Sequence, residues 1–301
     1  MLRLPRFILI LLIALATPAW GGSIALVLSE NGGMYGEFAN TLDESLSGTA
    51  WNIVSTSAGD SPATAARPPD LVVTVGSEAL RRTLSRGEST PIIATLLPRQ
   101  TYEKILTEHR RTSGRITAIY LDQPANRQAV FLRHLLPDQK RFGILFSSET
   151  RNSASQYRQA FAWAGLVLDS EDSDTEKTLL PALNALLTRS GALVALPDAS
   201  IYHRNNIKAI LITAFRLQRP VIGYSTAFVT AGALAALHST PSQIARQTAD
   251  MIVNSGTNLT PPTGPTQFAI AINPNVAQAL GLNIPDEASL RRAILADRDA
   301  R

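Results

Sequence analysis

Four kinds of side chain in this sequence could do chemistry: histidines, serines at strand ends, a glycine-rich loop and a few carboxylates. The four histidines, His109, His134, His203 and His238, form no H-x-x-x-H pair, and none has a carboxylate at metal-ligand spacing. No metal site is expected. Ser77 follows an apolar run directly, in VGSEA, but the second glycine of a G-x-S-x-G elbow is missing and no general base can be placed beside it. A hydroxyl that hydrogen-bonds a ligand is the better reading of Ser77, with Gly76 before it letting the backbone approach closely. Asn31-Gly32-Gly33-Met34-Tyr35-Gly36 lies where a phosphate loop could sit. It reads G-G-x-x-G, and no Gly-Lys-Ser/Thr occurs in the chain, so a cleft loop fits better than a nucleotide site. Asp198 stands just past Leu196-Pro197. It can cap the helix that follows or accept hydrogen bonds from a ligand amine, and the two roles are compatible.

The elements that position these groups follow one grammar. Residues 191–225 read as strand, loop, helix, strand, with apolar runs stopping at Pro197-Asp198 and at Ser225. Residues 70–98 repeat it: Leu71 to Val75, the loop Gly76-Ser77-Glu78, a helix, then Pro91 opening a strand. Ile24 to Leu28 leads into Ser29-Glu30, and Phe142 to Phe146 into Ser147-Ser148-Glu149. The expected fold class is α/β, with two Rossmann-like lobes of parallel sheet joined by a hinge. In such sheets ligands bind outside the carboxyl ends of the strands. The candidate ligand-binding residues are therefore Glu30, Tyr35, Gly76 and Ser77 from one lobe, and Ser148, Asp198, Ser225 and Thr226 from the other. Carboxylates stand on both sides with no Lys or His among them, which suits a ligand bearing an amine or several hydroxyls.

Composition sets the boundaries. The chain has 301 residues, long enough for two domains of ordinary size. Arg3 and Arg6 precede the apolar run Phe7 to Ala16, and small residues around Ala19 and Gly21 offer cleavage sites. The run is shorter than the ~20 residues of a membrane span, so residues 1–22 are read as a secretory signal peptide. There is no cysteine, hence no lipid anchor, disulfide or thiolate site. Net charge is +4, with Arg3 and Arg6 supplying two of the positive charges, and the arginines near the C-terminus alternate with Asp297 and Asp299. Nucleic-acid binding is not expected. Pro137 and the Pro-rich stretch 261–265 suggest the divisions: lobe 1 over 23–138 plus 239–265, lobe 2 over 139–238, and a hinge strand, last helix and tail over 266–301.

Several stretches in order carry a family resemblance: PDLVVTVGSEAL (69–80), TPIIAT (90–95), LLPDQKRFGILFSS (135–148), ALVALPDASI (192–201), RPVIGYSTAFVTAGALAAL (219–237), QIARQTADMIV (243–253) and FAIAINPNVAQALGLNIP (268–285). The chain resembles the periplasmic substrate-binding components of ABC transporters, of the type that includes tryptophan- and tyrosine-binding proteins. The resemblance implies a type I periplasmic-binding fold with three crossings between lobes. It implies capture of a small molecule and delivery to an ABC permease in the inner membrane, by a periplasmic monomer without catalysis or cofactor. It also places Gly76-Ser77, Ser147-Ser148, Asp198 and Ser225-Thr226 at cleft loops. The segment LLPRQTYEKILTEHRRTSGRITAIYL lacks the Asp-Pro and the G-N-x-T-G motif usual in relatives, so ligand identity does not carry over. Two other readings are a sensory binding protein that docks a receptor and a secreted serine hydrolase using Ser77 or Ser148.

Overall fold

Short, uniformly apolar strands need cover on both faces, and here helices provide it. The computed structural model describes residues 21–59, 68–87, 89–109 and 115–300. The signal-peptide reading of 1–22 falls almost wholly outside them. In chain order the first part runs β1 (Gly22–Leu28), α1 (Gly33–Leu46), β2 (Trp51–Ala58), β3 (Leu71–Val75), α2 (Ser77–Ser85), β4 (Ile92–Leu97), α3 (Arg99–Glu108) and β5 (Ile116–Tyr120). Then come α4 (Ala125–Leu135), β6 (Arg141–Phe146), α5 (Ala154–Trp163), β7 (Val167–Asp172), α6 (Glu176–Arg189), β8 (Ala192–Val194), α7 (Arg204–Arg216), β9 (Val221–Gly223), α8 (Thr226–Ala231) and β10 (Ala235–His238). The chain closes with α9 (Pro241–Ser255), β11 (Ala269–Ile272), α10 (Pro274–Ala279) and α11 (Glu287–Ala296).

Two sheets result, ordered β2-β1-β3-β4-β5 and β11-β10-β9-β8-β6-β7. All pairs are parallel except β10 with β11. The first sheet buries Leu71 and Val73 against Phe38 and Leu42 of α1 and Ile244 and Ile252 of α9. Its other face packs Val72 and Ala94 against Leu80 of α2 and Ile105 of α3. The second sheet packs Phe142, Ile144 and Phe146 against α4, α5 and α11 on one side. Leu145 and Leu193 meet α6, α7 and α8 on the other.

The chain passes between the lobes three times: after β5, between β10 and α9, and between α9 and β11. Two boundaries differ from those read from prolines. Residues 125–135 do not belong to the first lobe, because Val130, Phe131 and Leu135 of α4 share one core with Phe142 and Phe161. Pro137 ends a helix, and the crossing lies a helix earlier, at Leu121 to Pro124. Residues 266–300 are no separate hinge piece either. β11 pairs with β10 over four residues, from Ala235 opposite Ile272 to His238 opposite Ala269. Leu290 and Ile294 of α11 are buried against α4.

The three crossings are tied together. Gln123 Nε2 donates to Ser239 Oγ at 2.7 Å, and Ser239 Oγ donates to the Gln267 carbonyl at 2.7 Å. Arg127 donates to Gln123 Oε1 and to the Pro265 carbonyl, both at 2.9 Å. Gln123 and Ser239 are buried, so water competes little for these bonds.

Candidate functional site

The carboxyl ends of the two sheets face each other across the crossings, and two cavities lie between them. The first, about 320 Å³, takes Arg99, Gln100, Tyr120 and Asp122 from the first lobe and Thr150, Ser153, Gln156, Tyr157 and Pro197 from the second. The second, about 560 Å³, is lined by Met34, Pro98, Leu121, Pro197, Tyr224 and Pro241, with Ser225, Thr226, Glu37 and His238 among the polar groups. These volumes fall in the usual range for small-molecule sites.

A local irregularity builds the first wall. Between Thr95 and Leu97 the register of β4 against β5 shifts, and Leu96 takes φ 51° in the left-handed region. A non-glycine residue there stores strain, and the shift re-aims the chain. Pro98, extended at φ −65° and ψ 150°, then precedes the first residue of α3, Arg99. The Arg99 amide donates to Asp122 Oδ2 at 2.7 Å, and its guanidinium is held by Glu103 at 2.7 Å. Asp122 is half-buried, with one face on the cavity. Burial pushes its carboxyl up to about 6 from the usual 3.8, against the lowering effect of the Arg99 amide. Desolvation also pushes the Tyr120 phenol up to about 12, so it stays a donor at neutral pH. Arg99 also faces this cavity and lowers the Asp122 carboxyl, but it is shared with Glu103, so the three groups together carry one net negative charge.

The second wall hangs on Asp198. This buried carboxylate accepts from Ser147 Oγ at 2.6 Å, Thr150 Oγ1 at 2.7 Å, Ser200 N at 2.9 Å and Ile201 N at 3.2 Å. It joins the loop after β6 to the turn after β8, and so fixes Thr150 and Pro197 in the cavity wall. It lines neither cavity. Nor does it cap α7, which starts at Arg204 after His203; it caps the turn at 200–201 instead.

The remaining expected site residues separate into two groups. Ser225 and Thr226 do line the second cavity. Ser225 caps α8 by accepting from the Phe228 amide at 3.3 Å, and Thr226 Oγ1 meets His238 Nε2 at 3.0 Å. Burial lowers the His238 pKa, which keeps its imidazole neutral. Glu30, Tyr35, Gly76 and Ser77 line neither cavity. Glu30, Tyr35 and Gly76 gather in a corner at the ends of β1 and β3, where burial and the Glu30 charge raise the Tyr35 phenol. Gly76 has φ 91°, and a Cβ there would lie 2.4 Å from Ser29 Oγ and 2.8 Å from the Tyr35 ring. Its backbone therefore packs closely against Ser29 and Tyr35 of its own lobe. Ser77 opens α2, and Ser148 is exposed with its amide donating to Asp174. Sequence reasoning missed Asp122, Arg99, Thr150 and Tyr157. Asp122 carried a signal, a carboxylate directly past the end of a strand and before Gln-Pro.

One ion pair spans the lobes away from the crossings, Lys104 Nζ of α3 to Glu149 Oε1 at 2.6 Å.

The sequence profile described as ABC transporter substrate binding protein matches residues 61–294. The chain belongs to this family. Members bind a solute for an ABC transporter, and this substrate-binding protein has the matching architecture. It is similar in fold to a Streptococcus pneumonia ABC domain in complex with L-Trp, at 18% identity and TM-score 0.61, covering 90% of this chain and 98% of that one. A ligand-free, open substrate-binding protein with adhesive properties from Clostridium difficile aligns at 15% identity and TM-score 0.64, over 88% of this chain and 96% of that one. A conserved domain protein from Vibrio cholerae gives 18% identity and TM-score 0.59, over 92% and 98%. No curated protein matches the chain in sequence.

Proposed function

We infer that this substrate-binding protein captures an amine-bearing small molecule between its lobes and passes it to an inner-membrane ABC permease. The observation that carries the reading is Asp122, a carboxylate on a walled cavity whose cationic neighbour, Arg99, is already engaged by Glu103. An ammonium group balances the remaining negative charge through a charge-assisted hydrogen bond. Thr150, Ser153 and Gln156 supply further hydrogen-bonding groups from the opposite wall. A ligand that touches both walls binds the closed arrangement better than the open one, and this difference drives closure. The protein acts in the periplasm as a monomer, exported on residues 1–22, and catalyses no reaction. The L-Trp complex of the similar streptococcal domain supports a ligand of amino-acid size or larger.

A thermal-shift panel of amines, amino acids, nucleosides and sugars tests the ligand class. A bound ligand at a hundredfold excess over its Kd should stabilise the fold by ~2.7 kcal/mol. Shifts from neutral sugars alone, with none from amines, would remove the amine from this reading. Sequencing the mature protein from a periplasmic extract should find its first residue at Trp20 or Gly22; recovery of the full-length chain in the membrane fraction alone would reject the cleaved signal peptide.

A further inference from the structure

Helix α7 turns one face to the core and the other to water. Asn206, Ile210 and Ala214 are buried, at the four-residue spacing of one helix side. The opposite side carries Arg204, Lys208, Ile212, Phe215 and Arg216, all exposed. Ile212 and Phe215 are 42% and 46% exposed, large values for apolar side chains in the middle of a helix. A helix face that only meets water ordinarily alternates acids with bases. α7 has three bases and no acid. None of the three enters an ion pair among the described residues. The imbalance extends to its neighbours. The three helices on this side of the second sheet, α6, α7 and α8, hold five Lys and Arg against one carboxylate, Glu176, and of the five bases Arg189 alone is paired. Beside the cations opens a groove of about 660 Å³, lined by Arg204, Ile207, Lys208, Leu211, Ile212 and Ala231.

We propose that the outer face of α7 is a membrane-contact surface, on which the second lobe adsorbs to an anionic bilayer. Arg204, Lys208 and Arg216 pair with headgroups, while Ile212 and Phe215 reach the acyl boundary. Bases interleaved with exposed apolar groups are the pattern that anionic lipid attracts. The three cations run the length of the helix, about 18 Å at 1.5 Å per residue. A protein partner would have to place an acid at each of those levels, whereas a charged lipid surface meets them without matching. Each Lys or Arg near such a surface adds roughly fivefold in affinity. None of these residues lines either interlobe cavity, so solute and surface are held by different groups. The inference rests on the export reading, which brings this face to the outer side of the inner membrane. Adsorption there confines the search for a permease to two dimensions.

Flotation with vesicles of phosphatidylglycerol and phosphatidylcholine in equal parts, and with phosphatidylcholine alone, tests the proposal. Binding to the anionic vesicles should be roughly tenfold or more tighter than to the neutral ones, and should fall by a similar factor between about 50 and 500 mM salt. Lys208→Glu should weaken it about fivefold or more. Arg158→Glu makes the same change of charge on an exposed position of α5, which covers the other side of the sheet, and should alter binding less than about twofold. Phe215→Ser should weaken binding and leave the fold intact, because the ring is exposed. Arg216→Glu repeats the test at the far end of the helix should Lys208→Glu fold poorly. Equal affinity for charged and neutral vesicles, or equal losses in Lys208→Glu and Arg158→Glu, overturns the proposal. Silence of the anionic vesicles also overturns it and leaves this face to a protein partner. All variants share one N-terminus, so a retained apolar leader adds equally to each, and failure of export is read separately by N-terminal sequencing.

Discussion

Asp122→Asn should raise the stability of the empty protein at neutral pH and remove its response to amines. The carboxyl titrates near 6 in the fold against an ordinary value of 3.8, so the folded chain holds this proton more tightly. Between about pH 4 and 6 the native state carries more protons than the unfolded one, and stability contributed by this group falls as pH rises through that window. A rise of this size corresponds to roughly 3 kcal/mol at most, and about 1–3 kcal/mol is the expected gain for the variant at pH 7.5. The gain should vanish by pH 4, where the wild-type carboxyl is protonated. Asparagine keeps an oxygen for the Arg99 amide, so the backbone contact survives. Amine affinity in the wild type should fall about tenfold per pH unit below 6, because the cation then competes with a proton. Melting curves at pH 4 and 7.5, with and without the amines of the thermal-shift panel, check every part. A variant less stable than wild type at both pH values would show that Asp122 is a structural acceptor and not a strained binding group.

Asp198→Ala should act in the opposite direction. Removal of this carboxylate strands two hydroxyls and two amides in a buried position. Hydrogen bonds to a charged group are worth ~1.5–3 kcal/mol each, and the hydroxyls partly re-pair, so a loss of about 3–5 kcal/mol is expected. For a chain of this size that lowers the melting temperature by roughly 10 °C. Asp198→Asn keeps one acceptor and should lose about half as much. Urea titration of the ligand-free proteins measures both. Unchanged stability of the alanine variant would contradict the bracketing role and return Asp198 to the ligand. Any loss of affinity in a folded variant then follows from loosening of Thr150 and Pro197.

Much of this architecture is legible in the sequence, for a physical reason. Strands covered on both faces are short unbroken apolar runs, and Leu71 to Val75 or Phe142 to Phe146 can be read in no other way once the helices between them are seen. The lobe boundary was less legible. Pro137 looks like a divider because proline stops helices, yet what decides membership is the side chains of α4, which fit the core of Phe142. The site was legible only in part because strand ends are equivalent on paper. Which ends meet across the crossings depends on strand order, and β4 and β5 lie beside the crossing while β1 and β3 lie farther in. So Glu30, Tyr35, Gly76 and Ser77 follow the strand-end rule yet stand apart from the two cavities beside the crossings. The helix α8 escaped notice because TAFVTA is six residues long, and four of the six are β-branched or aromatic. Ser225 as its cap was the available sign.

The bonds from Gln123 through Ser239 to Gln267 fasten three separate strands of chain into one axle. Three independent links would let the lobes twist, shear and slide as well as close. With the links fastened side by side, shear must break buried hydrogen bonds, whereas rotation about their common line does not. Such a fastening favours rotation of the lobes over shear. Gln123 lines one cavity and Ser239 the other, so a solute held in either would lie directly against the shaft it turns. A membrane partner that recognises the closed protein would meet one angle and not a family of them, which makes occupancy readable from outside as a rigid shape.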